Sequence, residues 1–275
     1  MSGAEPENRI PFSAIVHALA KSPDHSVSVP ATWRQGRAMF GGLAAALCVQ
    51  AAIDVIPDLP PLRSAQFLFV GPATESVRMS ASLLRRGKSA VLFGAEMNDA
   101  TGTLVRSHLC FGNARPSTIA FNDLKAPDVA APESYRRFEP PRGSGAPVFF
   151  QNFDMRVAGK GMPFSGAKQP DFLTWMRFRS EVDITADIAP AVALTCIGDA
   201  PPSSGVLMFK APAPISTIAW AFDVVTDKPI TKDGFWLVRR RLDFAEGGYS
   251  TETIVVWNSD REPMMVGRQN VALFA

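Results

Sequence analysis

One short pattern occurs twice in this chain, and only its second copy carries a carboxylate. Leu47-Cys48-Val49-Gln50-Ala51-Ala52 aligns with Thr195-Cys196-Ile197-Gly198-Asp199-Ala200, and Gly87…Asn98-Asp99 aligns with Gly247…Asn258-Ser259. Matches in this order point to an internally duplicated protein. An acid present in one copy alone is not required by an architecture that both copies share. Asp199 is therefore the first candidate for chemistry, and that chemistry is proton transfer. A carboxylate accepts a proton from water most effectively when burial lifts its proton affinity above the ordinary pKa of about 3.9. The alternative is a cap or turn role, because Pro201-Pro202 end any helix there and leave Asp199 near its last turn.

Two kinds of element must position such a group. From Leu43 to Ile56 the chain is nearly all apolar and Ala-rich, which predicts a helix wrapped on most sides by other structure and ended by Pro57, Pro60 and Pro61. A glycine-bearing loop, Trp33 to Gly42, precedes it. Upstream, the stripe at Phe12, Ile15, Val16 and Leu19 predicts a helix over Pro11–Lys21, followed by a short strand at Val27–Val29. Strands are expected at Arg63–Val70, Ser76–Arg85, Val91–Met97 and Thr103–Phe111. The second half repeats the order. Strands are expected at Val148–Met155 and Phe172–Val182, then a buried helical stretch within Ala186–Met208, then strands at Ile215–Val225, Trp236–Glu246, Tyr249–Trp257 and Met264–Phe274. Between the halves, Asn113–Pro147 is rich in Pro, Gly and Ser and reads as a connection. The division is an N-terminal unit at 1–115, a linker at 116–147 and a C-terminal unit at 148–275. The fold class is α+β, with each antiparallel sheet wrapped around one apolar helix and the two units merging edge to edge.

The segment Trp33-x-x-Gly36-Arg37-x-x-Phe40-Gly41-Gly42-x-x-Ala45-Ala46 resembles the start of the central helix in acyl-CoA thioesterase II proteins. Gly248-Tyr249-Ser250 through Gly267-Arg268-Gln269-Asn270 is similar to that family's closing strands. The resemblance implies a double hotdog, in which two sheet-wrapped helices share one continuous sheet. It implies hydrolysis of acyl-CoA to a free acid and CoA, and it assigns catalysis to an Asp, a Thr or Ser, and a Gln. Those slots fall on Asp199, Thr217 (with Ser216 adjacent) and Gln269. Asp199 would activate or align water, and Thr217 and Gln269 would hold it through a hydroxyl and an amide. Gly41 and Gly42, at the start of the first central helix, would offer backbone N–H groups to the oxyanion. Met39 and Phe40, with Phe67, would line the acyl tunnel. No cofactor and no metal is implied. A non-catalytic acyl-CoA-binding protein, or a hotdog hydrating or dehydrating an enoyl-CoA, are the other readings; the latter wants a His–Asp pair that none of the three histidines offers.

Composition excludes other classes. A net charge of +2 over 275 residues predicts no nucleic-acid footprint. Arg239-Arg240-Arg241 alternates faces on a strand, so Arg239 and Arg241 form at most one patch, for CoA phosphates or for solvent. Gly87-Lys88-Ser89 lacks the earlier glycine of a phosphate-binding loop, and there is no G-x-S-x-G elbow. Three scattered cysteines and a polar start without an apolar core (Met1 to Arg9) predict a cytoplasmic protein, with no membrane insertion. Monomer and homodimer are both compatible with a double unit.

Overall fold

The stripe at Phe12, Ile15, Val16 and Leu19 is the buried face of helix α1 (Phe12–Lys21) in the computed structural model of the protein, which describes residues 9–56, 58–140, 145–179 and 185–274. Strand β1 (Ser26–Ser28) and a small hairpin, β2 (Arg34–Gln35) with β3 (Ala38–Met39), lead into helix α2 (Gly41–Val55). The helix starts at Gly41, so both glycines lie in its first turn and not in the loop before it. Every residue from Gly42 to Ala52 is buried, as an all-round apolar helix requires. Strands β4 (Leu62–Phe69), β5 (Ser76–Arg86), β6 (Ala90–Asp99) and β7 (Gly102–Gly112) follow as expected. The expectations that fall on Met1–Asn8, on Pro57 and on Val182 lie outside the described residues.

In the second half, the strand expected from Val148 is corrected. Val148–Asn152 is a 3-10 turn, in which Phe150 N–H donates to the carbonyl of Pro147, and β8 (Phe153–Val157) begins after it. The turn brings the Phe149 ring flat against Phe40, with centroids 4.0 Å apart. Strand β9 (Asp171–Phe178) precedes helix α3 (Pro190–Asp199). The helical stretch expected within Ala186–Met208 is α3, and it ends at Asp199 just before Pro201 and Pro202, as those prolines require. A 3-10 turn at Ser204–Leu207 follows, then β10 (Ile215–Val224), β11 (Trp236–Glu246), β12 (Tyr249–Asn258) and β13 (Pro263–Leu273).

Eleven strands form one sheet in the order β1-β5-β6-β7-β4-β10-β13-β12-β11-β9-β8. The halves join where β4 pairs antiparallel with β10, from Leu68 opposite Ala219 to Ser64 opposite Asp223. Outward from this seam, one half runs β4, β7, β6, β5 and the other β10, β13, β12, β11. The same order is thus used twice, which is what the duplicated sequence pattern asks for. The inner face of the sheet covers α2 and α3, and the two helices touch at a glycine. A Cβ built on Gly42 would lie 2.8 Å from the carbonyl oxygen of Cys196, so only glycine allows this approach.

The segment read as a connection is also a cover. On the outer face of the second half, Leu173, Trp175, Phe235, Leu237 and Trp257 form a separate apolar cluster under Ala126, Val129 and Tyr135. Buried ring N–H groups reach the strap's carbonyls, Trp257 Nε1 to Leu124 at 2.7 Å and Trp175 Nε1 to Ala130 at 3.1 Å. Arg261 donates to the carbonyls of Pro127 and Val129, and its guanidinium lies 4.7 Å from the Trp175 ring centroid. Among the described residues, no helix is long and apolar enough to cross a membrane.

Candidate active site

Asp199 is the last residue of α3 and is almost fully buried beside the first turn of α2. A Cβ built on Gly41 would lie 3.0 Å from Asp199 Oδ2 and 3.5 Å from the Phe69 ring. The N–H groups of Gly41, Gly42 and Leu43 have no acceptor within the helix, whose first intrahelical bond is Ala44 N–H to the Phe40 carbonyl, and among the described residues no side chain caps them. An anion is disfavoured at the C-terminal end of one helix dipole and favoured at the N-terminal end of another. Asp199 stands where the two ends meet.

The carboxylate is held on one oxygen only. Gln269 Nε2 donates to Asp199 Oδ1 at 2.8 Å, while Asp199 Oδ2 accepts no hydrogen bond among the described residues. Gln269 belongs to β13, and its inner-face row across the sheet is Phe67, Trp220, Gln269 and Glu252. Burial pushes the carboxyl group of Asp199 up from its ordinary value; Arg240 and the Gln269 hydrogen bond act the other way, and Glu252 adds to the rise. A buried carboxylate with raised proton affinity, one oxygen fixed and one open, has the properties of a general base.

Two charged residues of this site were not singled out from the sequence. Arg240 and Glu252 are 2% and 0% exposed, on the inner faces of β11 and β12. Arg240 donates to Glu252 Oε1 and to Gln269 Oε1, to the Pro201 carbonyl at 2.8 Å, and more distantly to Asp199 Oδ1 at 3.5 Å. Glu252 Oε2 accepts from Ser204 N–H at 2.8 Å and from the Ser204 hydroxyl at 2.6 Å. The readable signal is a break in pattern: Arg240 follows buried Trp236 and Val238 on one face, and Glu252 precedes buried Ile254 and Val256. The flanking arginines face the other way and are matched by acids, Arg239 by Asp171 and Arg241 by Asp243.

The remaining expected residues fall in different places. Thr217 is half-buried and pairs with buried Val271, which puts it on the inner face one inward-facing row from Gln269; a bulge between Thr217 and Ala219 separates it from Trp220. It makes no side-chain hydrogen bond among the described residues, and its neighbour Ser216 is exposed. Trp220, directly across from Gln269, is buried, and its Nε1–H has no partner among the described residues. Phe40 and Met39 are packed into the core, Phe40 in an aromatic cluster with Phe149 and Phe153. The Phe69 ring, which with Asp199 Oδ2 flanks the Gly41 Cβ position, is followed by Phe67 (6.5 Å from Phe69 between centroids) and Trp220 (5.8 Å from Phe67).

Comparison with known proteins bears on this arrangement. A family model described as the acyl-CoA thioesterase C-terminal domain matches residues 128–273, and one described as the acyl-CoA thioesterase N-terminal domain matches residues 29–112. No curated protein matches the chain. Among solved structures, a hot dog fold protein of unknown function from Alicyclobacillus acidocaldarius is 23% identical and superposes with a TM-score of 0.78, covering 91% of this chain and 92% of that one. A protein from Thermobifida fusca YX described as a candidate thioesterase II is 16% identical, with a TM-score of 0.80 and coverage of 99% and 100%. The acyl-CoA thioesterase II TesB2 from Mycobacterium marinum is 17% identical, with a TM-score of 0.67 and coverage of 85% and 88%. These likenesses show a hotdog fold.

Proposed function

Because the chain belongs to the acyl-CoA thioesterase family, we propose that it hydrolyses acyl-CoA thioesters with Asp199 as the base that activates water. One observation carries this reading. Asp199 Oδ1 is fixed by Gln269, while Oδ2 is open beside the uncapped N–H groups of α2. A water on Oδ2 gives up its proton there as its oxygen bonds to the thioester carbon. The carbonyl oxygen becomes an anion, and the first-turn N–H groups of Gly41 and Gly42 receive it. When the carbon–sulfur bond breaks, its electron pair leaves on sulfur, which takes the proton from Asp199. The products are the free acid and the CoA thiol, and the base is regenerated. Thr217 adds a hydroxyl to the water's surroundings, and Gln269 keeps the carboxylate in register. The rings of Phe67, Phe69 and Trp220 form the apolar wall against which the acyl carbons next to the carbonyl rest. Three cysteines that form no disulfide with one another fit a reducing cytoplasm, where acyl-CoA turnover in lipid metabolism takes place.

The test is release of free thiol from acyl-CoAs of short, medium and long chain by the wild type and by Asp199→Asn. The expected result is turnover of at least one ester and a loss of about 100-fold or more in the folded variant. Binding without thiol release would replace this reading with that of an acyl-CoA-binding protein.

A further inference from the structure

Resting on the hydrolytic reading above, we propose that the buried Arg240–Glu252 pair is the positioning device of the site. In it, Arg240 fixes which end of the Gln269 amide faces Asp199, and Glu252 keeps Arg240 from closing onto Asp199 as an ion pair. An amide side chain is nearly symmetric in shape, so its orientation is set by its partners. Gln269 presents N–H to Asp199 because its oxygen is engaged by the guanidinium of Arg240. The opposite orientation would set an amide oxygen against a carboxylate oxygen and two sets of N–H donors against each other. Arg240 therefore acts through Gln269; it is a positioning residue.

Glu252 answers a second requirement. A buried guanidinium next to a carboxylate favours the ionised form and makes a weak base. Here the guanidinium bonds directly to Glu252, whereas its contact with Asp199 Oδ1 is at 3.5 Å. Glu252 is itself anchored on its other oxygen by Ser204 N–H at 2.8 Å, the Ser204 hydroxyl at 2.6 Å and the Ser203 hydroxyl at 3.3 Å. The chain thus spends one positive charge on two buried carboxylates and gives most of it to the carboxylate that does no chemistry. The charged groups facing Asp199 are Arg240 from β11 and Glu252 from β12; β13 and β10 present neutral Gln269 and Trp220, and α2 presents its N–H groups. Serine and threonine caps or a simple apolar core would satisfy packing here without two buried charges, which are costly unless they are used.

The experiment reads the two charges with opposite signs. The carboxyl carbon-13 resonance of Asp199, assigned against Asp199→Asn, is followed with pH in the wild type, Arg240→Met, Arg240→Lys and Glu252→Gln, with circular dichroism to verify folding. Glu252→Gln frees Arg240 for Asp199 and moves the midpoint down by about one pH unit or more; Arg240→Met moves it up by a similar amount. Arg240→Lys keeps the charge but not the fork, so its midpoint stays near wild type. If acyl-CoA is turned over, its kcat nevertheless falls about 10-fold at unchanged KM, because an ammonium cannot hold Glu252 and Gln269 in fixed geometry together. Unmoved midpoints in folded variants, or shifts in the same direction, overturn the proposal. If Arg240→Met does not fold, Glu252→Gln decides alone: a downward shift supports the device, and no shift or an upward one removes it. The titration needs no substrate. Absence of thiol release from every acyl-CoA would sink the hydrolytic reading without touching this result.

Discussion

Gly41→Ala and Gly42→Ala change adjacent residues in one helical turn, and the structure gives them opposite consequences. At Gly42 the new methyl meets the Phe40 ring at 2.4 Å and the Cys196 carbonyl at 2.8 Å. Neither neighbour yields cheaply: Phe40 is stacked on Phe149, and the carbonyl belongs to the backbone of α3. Overpacking of this kind costs about 1–3 kcal/mol. Against that stands at most about 1 kcal/mol gained by alanine over glycine in a helix, so Gly42→Ala is a net loss that reaches about 2 kcal/mol even when the full helical gain is realised. At Gly41 the methyl meets only the tip of the Asp199 side chain, at 3.0 Å, and the edge of Phe69, at 3.5 Å. Contact with one movable side chain roughly offsets the helical gain, leaving stability within about 1 kcal/mol of wild type. Activity behaves in reverse. The Gly41 methyl occupies the space in front of Asp199 Oδ2 where the attacking water must stand, and displacing a reacting group by about 1 Å costs about 100-fold in rate. Urea unfolding of both variants beside thiol release from a competent acyl-CoA makes the comparison. A folded Gly41→Ala protein with wild-type kcat would show that the water does not sit between Asp199 and the start of α2, and the proposed geometry of attack would fall.

Three further outcomes follow from the same contacts. Asp199→Asn gains stability at pH 7, because burial raises the folded-state pKa above the unfolded value of 3.8 and ionisation then works against folding. That gain fades as pH falls towards the unfolded pKa and is absent below it, where the wild-type carboxyl is protonated in both states; parallel urea titrations at pH 7 and pH 3.5 would detect a gain of the wrong sign or one independent of pH. Arg261→Ala removes two strap carbonyl contacts and the cation over Trp175, costing about 1–2 kcal/mol, and limited proteolysis should cut the strap between Leu124 and Ala130 faster than in wild type. Phe40→Ala costs about 3–5 kcal/mol by emptying the stack with Phe149, which a fall in thermal midpoint of the folded chain would register.

Periodicity and turn residues carried most of the fold. Strand-like runs bounded by turn residues marked β5, β6, β7, β11, β12 and β13 to within a few residues; β6 alternates buried and outward-facing residues, whereas β11 and β12 also bury Leu237 and Trp257 on the outer face. The Ala-rich run could be nothing but a wrapped helix. What periodicity could not show was the 3-10 turn at Val148–Asn152, whose aromatic residues suit a strand locally and whose conformation is settled by Phe149 stacking on a distant Phe40. Nor could composition reveal the strap, since its holds are backbone carbonyls of Leu124, Pro127, Val129 and Ala130 chosen by tryptophan and arginine side chains far along the chain. In the site, Asp199 was legible from the duplication and Gln269 from the family resemblance. Arg240 was hidden in a run of three arginines that looked like one surface feature; only strand alternation separates the buried middle residue from its acid-paired neighbours, half-buried Arg239 and exposed Arg241.

In the proposed mechanism a single carboxylate suffices, and the duplication allows it. The two halves share one strand order and bring their central helices together at two close approaches, at Gly42 and at Gly41. At one of them α3 ends in Asp199 against Gly41. The residue of α2 that corresponds to Asp199 in the repeat is Ala51, which is fully buried. A carboxylate there would be a further buried ion with its own desolvation cost of several kcal/mol. It would also need its own arginine and its own glutamate, on strands that in the first half carry Met79 and Phe93 into the core. Fusing the two units into one chain frees each copy from the constraints of the other. Around Asp199 the molecule then keeps a buried polar network that also takes in Gln269, Arg240, Glu252, Ser203 and Ser204.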